Sequence, residues 1–227
     1  MNRYNTILIN NIPAHPETLK KQTAIHEAGH AAAIYLGNNQ KHLPPVFFQI
    51  IIKDIMADPS PCSSRASNSI SPAMTCFAKV EGGRLIHTLP SSLAAATQCF
   101  SPEERKAYQR AFEADIVNFL AGPLAEAKYV ALCDDEIFNP RLVNLDALHF
   151  YGGAADVALA MEYLDCLTPD AQEKESLIAE LFTATHHFIN QRSHWHAITA
   201  LADYILSSGK KVIPCEEIIR VLDAQMA

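Results

Sequence analysis

The chain has 227 residues, 49% of them hydrophobic, and a formal net charge of −7 from 18 basic and 25 acidic side chains; this is enough apolar content for a substantial core and excludes a disordered or fibrous polymer. So few basic residues give no electrostatic footprint for nucleic acid or an anionic membrane, and neither is expected as a partner. No apolar run approaches the roughly 18 residues of a spanning helix, no signal-peptide core follows Met1-Asn2-Arg3-Tyr4-Asn5, and the six scattered cysteines read as reduced thiols, so a cytoplasmic location is expected.

The first predicted element is one helix from Pro16 to Gly37. Proline suits the first helical position, Ile25, Ala28 and Ala32 form an apolar stripe, and Gly37-Asn38 offers a stop. Inside it lies His26-Glu27-Ala28-Gly29-His30. Histidines four apart share one helix face a turn apart, so both imidazoles can reach one metal ion at roughly 2.0–2.1 Å from each ring nitrogen. Glu27 can then reach the open coordination position, where zinc lowers the pKa of water to roughly 7 and a carboxylate can take the proton. A purely structural helix has no need of this spacing, so zinc-dependent hydrolysis is the first hypothesis. Gly29 in mid-helix costs about 1 kcal/mol against alanine and asks for a packing or access reason.

Val46 to Ile52 is rich in β-formers and predicts a strand with at least one buried face. A hairpin is predicted next, with Phe77–Val80 and Arg84–Thr88 flanking Glu81-Gly82-Gly83, whose glycines supply the positive φ of a tight turn. The Ser/Pro-rich stretch 57–72 between them predicts a flexible loop, read as a linker rather than a flap over the site. Ser101-Pro102-Glu103-Glu104 is a capping box that opens a helical second half. Predicted helices cover Pro102 to Phe112, Asp115 to Leu132, Ala155 to Leu167, Pro169 to Gln191, His194 to Leu206 and Pro214 to Ala224. Pro123 should kink or break the second near Gly122, Thr168 should cap the fourth, and Gly209 should end the fifth. The expected fold is α+β and mainly α-helical, in a single domain. Residues 16–100 would hold the metal helix and a small sheet of about three strands, and residues 101–227 a helical bundle.

A hydrolytic zinc site takes three protein ligands and leaves the fourth position for water. Residue chemistry leaves several candidates for the third: Glu126, Asp134-Asp135-Glu136, Asp146, His149, Asp156, and the histidines at 186, 187, 194 and 196. Spacing alone does not choose among them. His186-His187 and His194-x-His196 sit in helical contexts of mixed polarity and read as surface or satisfied polar residues.

Several segments resemble the FtsH-type zinc metalloproteases. Thr23-Ala24-Ile25-His26-Glu27-Ala28-Gly29-His30-Ala31 resembles that family's zinc helix, and Phe119-Leu120-Ala121-Gly122-Pro123-Leu124-Ala125-Glu126-Ala127 its Gly-Arg-x-Ala-Glu-Glu helix. Tyr151-Gly152-Gly153-Ala154-Ala155-Asp156-Val157 is similar to its Gly-Ala-Ser-Asn-Asp-Leu segment, and the run from Trp195 to Leu222 to its terminal helices. The resemblance implies a zincin-like peptidase domain in which Zn2+ is held by His26, His30 and Asp156, with Glu27 as the general base. Glu126 is then the alternative ligand, or a carboxylate beside the ligands. The chain departs from the family in lacking a Gly-x-x-x-x-Gly-Lys-Ser/Thr phosphate loop, in having Pro123 where the family has Arg, and in carrying extra residues around Asp58–Pro72 and Cys133–Asp146. The expectation is an ATP-independent zinc metalloendopeptidase acting on short or unfolded polypeptides, held along the edge of the Val46–Ile52 or Phe77–Thr88 strands. A separate ATPase or a homo-oligomer would be its partner. The alternative is a non-catalytic, zinc-containing peptide-binding or regulatory module on the same fold.

Overall fold

The computed structural model describes residues 16–53 and 77–226. Helix α1 (Pro16–Ala32) continues past the expected stop, through a π-helical turn (Ala33–Gly37) into the short α2 (Asn38–Gln40). Gly37 keeps right-handed helical dihedrals, φ −66° and ψ −42°, so the chain leaves the helix only at Lys41, ahead of His42 with φ 52°. A glycine stops a helix by taking a left-handed conformation, and this one does not.

Strands β1 (Phe48–Ile52) and β2 (Ala78–Gly82) pair antiparallel, with Phe48 opposite Gly82 and Ile52 opposite Ala78. Gly82 and Gly83 have the expected positive φ, 88° and 82°. The predicted hairpin is nevertheless wrong, because Arg84–Thr88 forms no strand. The consecutive backbone N–H groups of Leu85 and Ile86, one of which a returning strand would turn toward β2, are both captured by the buried carboxylate of Asp115. The third strand, β3 (Val212–Pro214), comes from the far end of the sequence and pairs antiparallel with the other side of β1, giving the order β2-β1-β3. Among the described strands β1 is central and β2 has β1 as its strand neighbour.

The remainder is helical, as expected of a mainly helical α+β fold: α3 (Leu93–Ala96), α4 (Pro102–Cys133), a 3₁₀ turn at Asp146–Tyr151, α5 (Ala154–Leu167), α6 (Ala171–Asn190), α7 (Arg192–Ser207) and α8 (Cys215–Asp223). The capping box forms at α4, with Ser101 Oγ accepting from Glu104 N–H at 3.2 Å and the Glu104 carboxylate accepting from Ser101 N–H at 2.8 Å. Two helices were predicted where α4 is one of 32 residues; Glu113-Ala114 carries no breaking residue, and the helix runs straight through Pro123. The proline packs against Gly153, where a Cβ would lie 2.6 Å from the proline Cβ. By length and composition α4 is apolar enough to cross a membrane, contrary to expectation, and 67% of its most apolar stretch is buried inside the protein. Asp170 rather than Thr168 caps α6, accepting from Glu173 N–H, and Gly209 follows α7 with φ 62°.

Helix α1 packs against α4 and α7, and α4 also packs against α5 and α6. Ile25, Ile50, Phe112, Leu120, Leu164 and Ile198 are fully buried between them. Gly29 lies where α1 crosses α4: a Cβ there would stand 2.7 Å from the Ala121 carbonyl oxygen and from Ala125 Cβ. The packing reason it called for is this close approach. Among the described residues Cys99, Cys133, Cys166 and Cys215 are free thiols; Cys62, Cys76 and the expected loop 57–72 lie outside them.

Candidate metal centre

The α1–α4 contact buries His26, Glu27 and His30 to 7%, 6% and 9% exposure, and the first turn of α5 brings Asp156 to the two imidazoles. His26 Nε2 stands 3.4 Å from Asp156 Oδ2 and His30 Nε2 stands 3.6 Å from Asp156 Oδ1. Both imidazoles thus face the one carboxylate, each across a different oxygen. One ligand atom from each of His26, His30 and Asp156 lies within 4.8 Å of the others, and among the described residues no other three His, Cys, Asp or Glu side chains form such a group. These three residues could hold a metal ion.

Each ring is turned to offer its Nε2. His26 Nδ1 lies 2.9 Å from Glu126 Oε2, and His30 Nδ1 lies 2.7 Å from the Asn118 carbonyl oxygen. A carboxylate and a carbonyl only accept, so each Nδ1 carries the donated hydrogen and the Nε2 lone pair is left for a metal. Glu126 therefore stands behind a ligand rather than in the ligand set. Burial works to lower the pKa of His26, but hydrogen bonds to Asp156 and Glu126 and the charge of Glu27 overcome it and raise the pKa to about 10. Burial likewise works to raise the pKa of Asp156, and the hydrogen bond from His26 with the charges of His30 and His26 brings it below the usual carboxylate range. Three carboxylates around one imidazole make a field that favours positive charge, whether proton or cation.

The edge of β2 faces the same place. Val80 N–H donates to Glu27 Oε2 at 2.5 Å, which ties the carboxylate to the strand. On α4 a stripe at helical spacing serves the whole arrangement: Asp115 holds Leu85 and Ile86, Asn118 holds His30, Gly122 gives His30 room, and Glu126 holds His26. Burial pushes Asp115 up to about 6 against the pull of the Leu85 and Ile86 N–H groups. Asp115, Asn118 and Gly122 were not singled out from the sequence. The signal that could have found Asp115 was a carboxylate inside the apolar run from Ala114 to Leu120, whereas Asn118 acts through its backbone carbonyl, which any residue there would supply.

The other candidates lie elsewhere. Asp134, Asp135 and Glu136 are exposed beyond the end of α4, and Asp146 and His149 are exposed on the 3₁₀ turn. His186 stacks on Phe138, fully buried His194 is bonded to Gln40 and the Phe188 carbonyl, and His187 and His196 are exposed. They are satisfied or surface groups, as the sequence suggested. The geometry ranks the remaining carboxylates: Glu126→Ala should weaken affinity for added Zn2+ by about 10–100-fold, the usual cost of losing an orienting contact, and Asp156→Ala should weaken it more. A competition titration against a chromophoric chelator measures both, and the reverse order would move the ligand role to Glu126. Compared with protein-family models, curated proteins and solved structures, the chain matches none.

Proposed function

We propose that this chain is a zinc-dependent metallopeptidase of the FtsH type, cleaving short or unfolded polypeptides without an ATPase of its own. The observation that supports it is the convergence of His26, His30 and Asp156 beside Glu27, with both imidazoles turned by outer partners to offer Nε2. Two imidazoles and one carboxylate also serve non-haem iron. A glutamate directly following the first histidine favours zinc.

Zinc bound there would polarise a peptide carbonyl and acidify a water. Glu27 takes the water proton on its carboxylate and returns it to the leaving amine. Glu126 and the Asn118 carbonyl keep the two rings from turning while this happens. The polypeptide lies extended along β2; β1, the other strand considered for this role, is paired on both sides and offers no edge. Main-chain pairing of this kind needs a chain that is already extended, which sets the substrate class as short or unfolded polypeptide. Folded substrates would have to be delivered by a separate ATPase.

Metal analysis and a fluorescent-casein assay on the purified chain test this reading. Zinc at stoichiometric level is expected, with cleavage lost on treatment with phenanthroline and restored by Zn2+. Stoichiometric zinc without cleavage would instead support the peptide-binding module, and bound iron would overturn the peptidase.

A further inference from the structure

We propose that Asp115 is a positioning residue, holding the segment after β2 so that the strand edge, and through it Glu27, stays fixed beside the metal-binding group. Its catalytic consequence rests on the metallopeptidase reading; its structural half does not.

Asp115 is 1% exposed and spends its carboxylate on backbone. Oδ1 accepts from Leu85 N–H at 2.9 Å, and Oδ2 accepts from the same N–H at 3.1 Å and from Ile86 N–H at 2.9 Å. Burying a carboxylate costs far more than burying a leucine of similar size, so packing alone does not account for an acid here. Tyr163 Oη, which also lies against the Asp115 carboxylate, donates to the Ile86 carbonyl at 2.8 Å. The backbone of Ile86 is thus gripped at its N–H from α4 and at its carbonyl from α5.

Both helices also serve the metal group, whose two imidazoles come from α1. Along α4, Asn118 and Glu126 hold the imidazoles, and along α5 Asp156 lies two turns before Tyr163. The sheet ladder reaches only as far as Gly83, whose N–H donates to the Phe47 carbonyl at 2.9 Å. Beyond it the path from α4 to the base is short: Asp115 to Leu85 and Ile86, back along the chain to β2, then Val80 N–H to Glu27. Glu27 is therefore placed from two directions, by α1 through its own backbone and by α4 through the strand. A substitution at Asp115 touches no metal ligand, yet it loosens the second of these supports.

Asp115→Asn tests this, because the amide keeps one acceptor oxygen where two oxygens accept now; Asp115→Ala removes both. Amide exchange at Val80, Leu85 and Ile86, affinity for Zn2+, and kcat and KM on a fluorogenic unfolded substrate are the readouts. In Asp115→Asn, exchange at all three amides should accelerate about tenfold or more while Zn2+ affinity stays within about twofold. kcat should fall about tenfold and KM change less than about threefold, since Glu27 acts in the transition state. Asp115→Ala should go further in the same direction, and if it fails to fold the asparagine variant decides. Unaltered Val80 exchange and kcat would overturn the proposal, as would a loss of Zn2+ affinity in step with kcat. A wild-type chain that binds zinc and cleaves nothing refutes the peptidase alone, and Val80 exchange still decides the role of Asp115.

Discussion

Replacing Glu27 by glutamine is expected to lower peptide hydrolysis by roughly 10²–10⁴-fold, the usual contribution of a positioned acid–base group, while bound metal stays at the wild-type level. Glutamine has nearly the shape of glutamate, and its carbonyl oxygen can still accept the Val80 N–H that holds the carboxylate now. Helix packing, the strand edge and both imidazoles are therefore retained. What is removed is the carboxylate charge, one of three around His26, and with it the ability to take a proton from water and return it to the leaving amine. Zinc content and casein cleavage measured on the same preparation separate the two effects. Cleavage at the wild-type rate would strike Glu27 from its role, and loss of zinc together with activity would make it a support of the metal group.

Gly122→Ala is expected to cost the centre its metal although it alters no ligand. A Cβ at this position would lie 2.3 Å from His30 Nε2, 2.5 Å from Cε1 and 2.7 Å from Cδ2. The ring cannot turn aside without giving up the hydrogen bond of its Nδ1 to the Asn118 carbonyl. The backbone of α4 cannot retreat freely either, because it is packed against α5 and α6 as well as α1. His30 must leave its place, so Zn2+ affinity should fall by more than the roughly 100-fold upper cost of losing an orienting contact. The fold itself should lose about 1–3 kcal/mol to overpacking. Zinc titration alongside thermal unfolding followed by circular dichroism checks both numbers, and a variant that binds zinc as tightly as wild type would show that His30 does not lie against α4.

Local signals carried well from sequence to structure. Ser101 and Glu104 close their capping box, and His26 and His30 share one helix face because four-residue spacing requires it. The structure brings Asp156, suggested by resemblance rather than spacing, to both imidazoles. Features decided by distant partners were not legible. Leu85 and Ile86 have the composition of a strand but lose their N–H groups to Asp115, thirty residues away in sequence, and β1 finds its second neighbour at residues 212–214. Pro123 carries a strong helix-breaking signal, yet α4 passes through it against Gly153. In each case a tertiary contact outweighed the local preference that a sequence window reports.

The late arrival of β3 sets an order of events on the ribosome. Residues 26, 27, 30, 80, 115, 126 and 156 have all been synthesised before Val212 exists, so the nascent chain owns every group of the metal centre while one side of β1 still has no neighbour. An unpaired strand flank is a template for other chains, and pairing across so long a loop is slow. The interval of greatest exposure to misassembly therefore precedes the synthesis of Val212, when the residues of the candidate metal group are already in place along the chain.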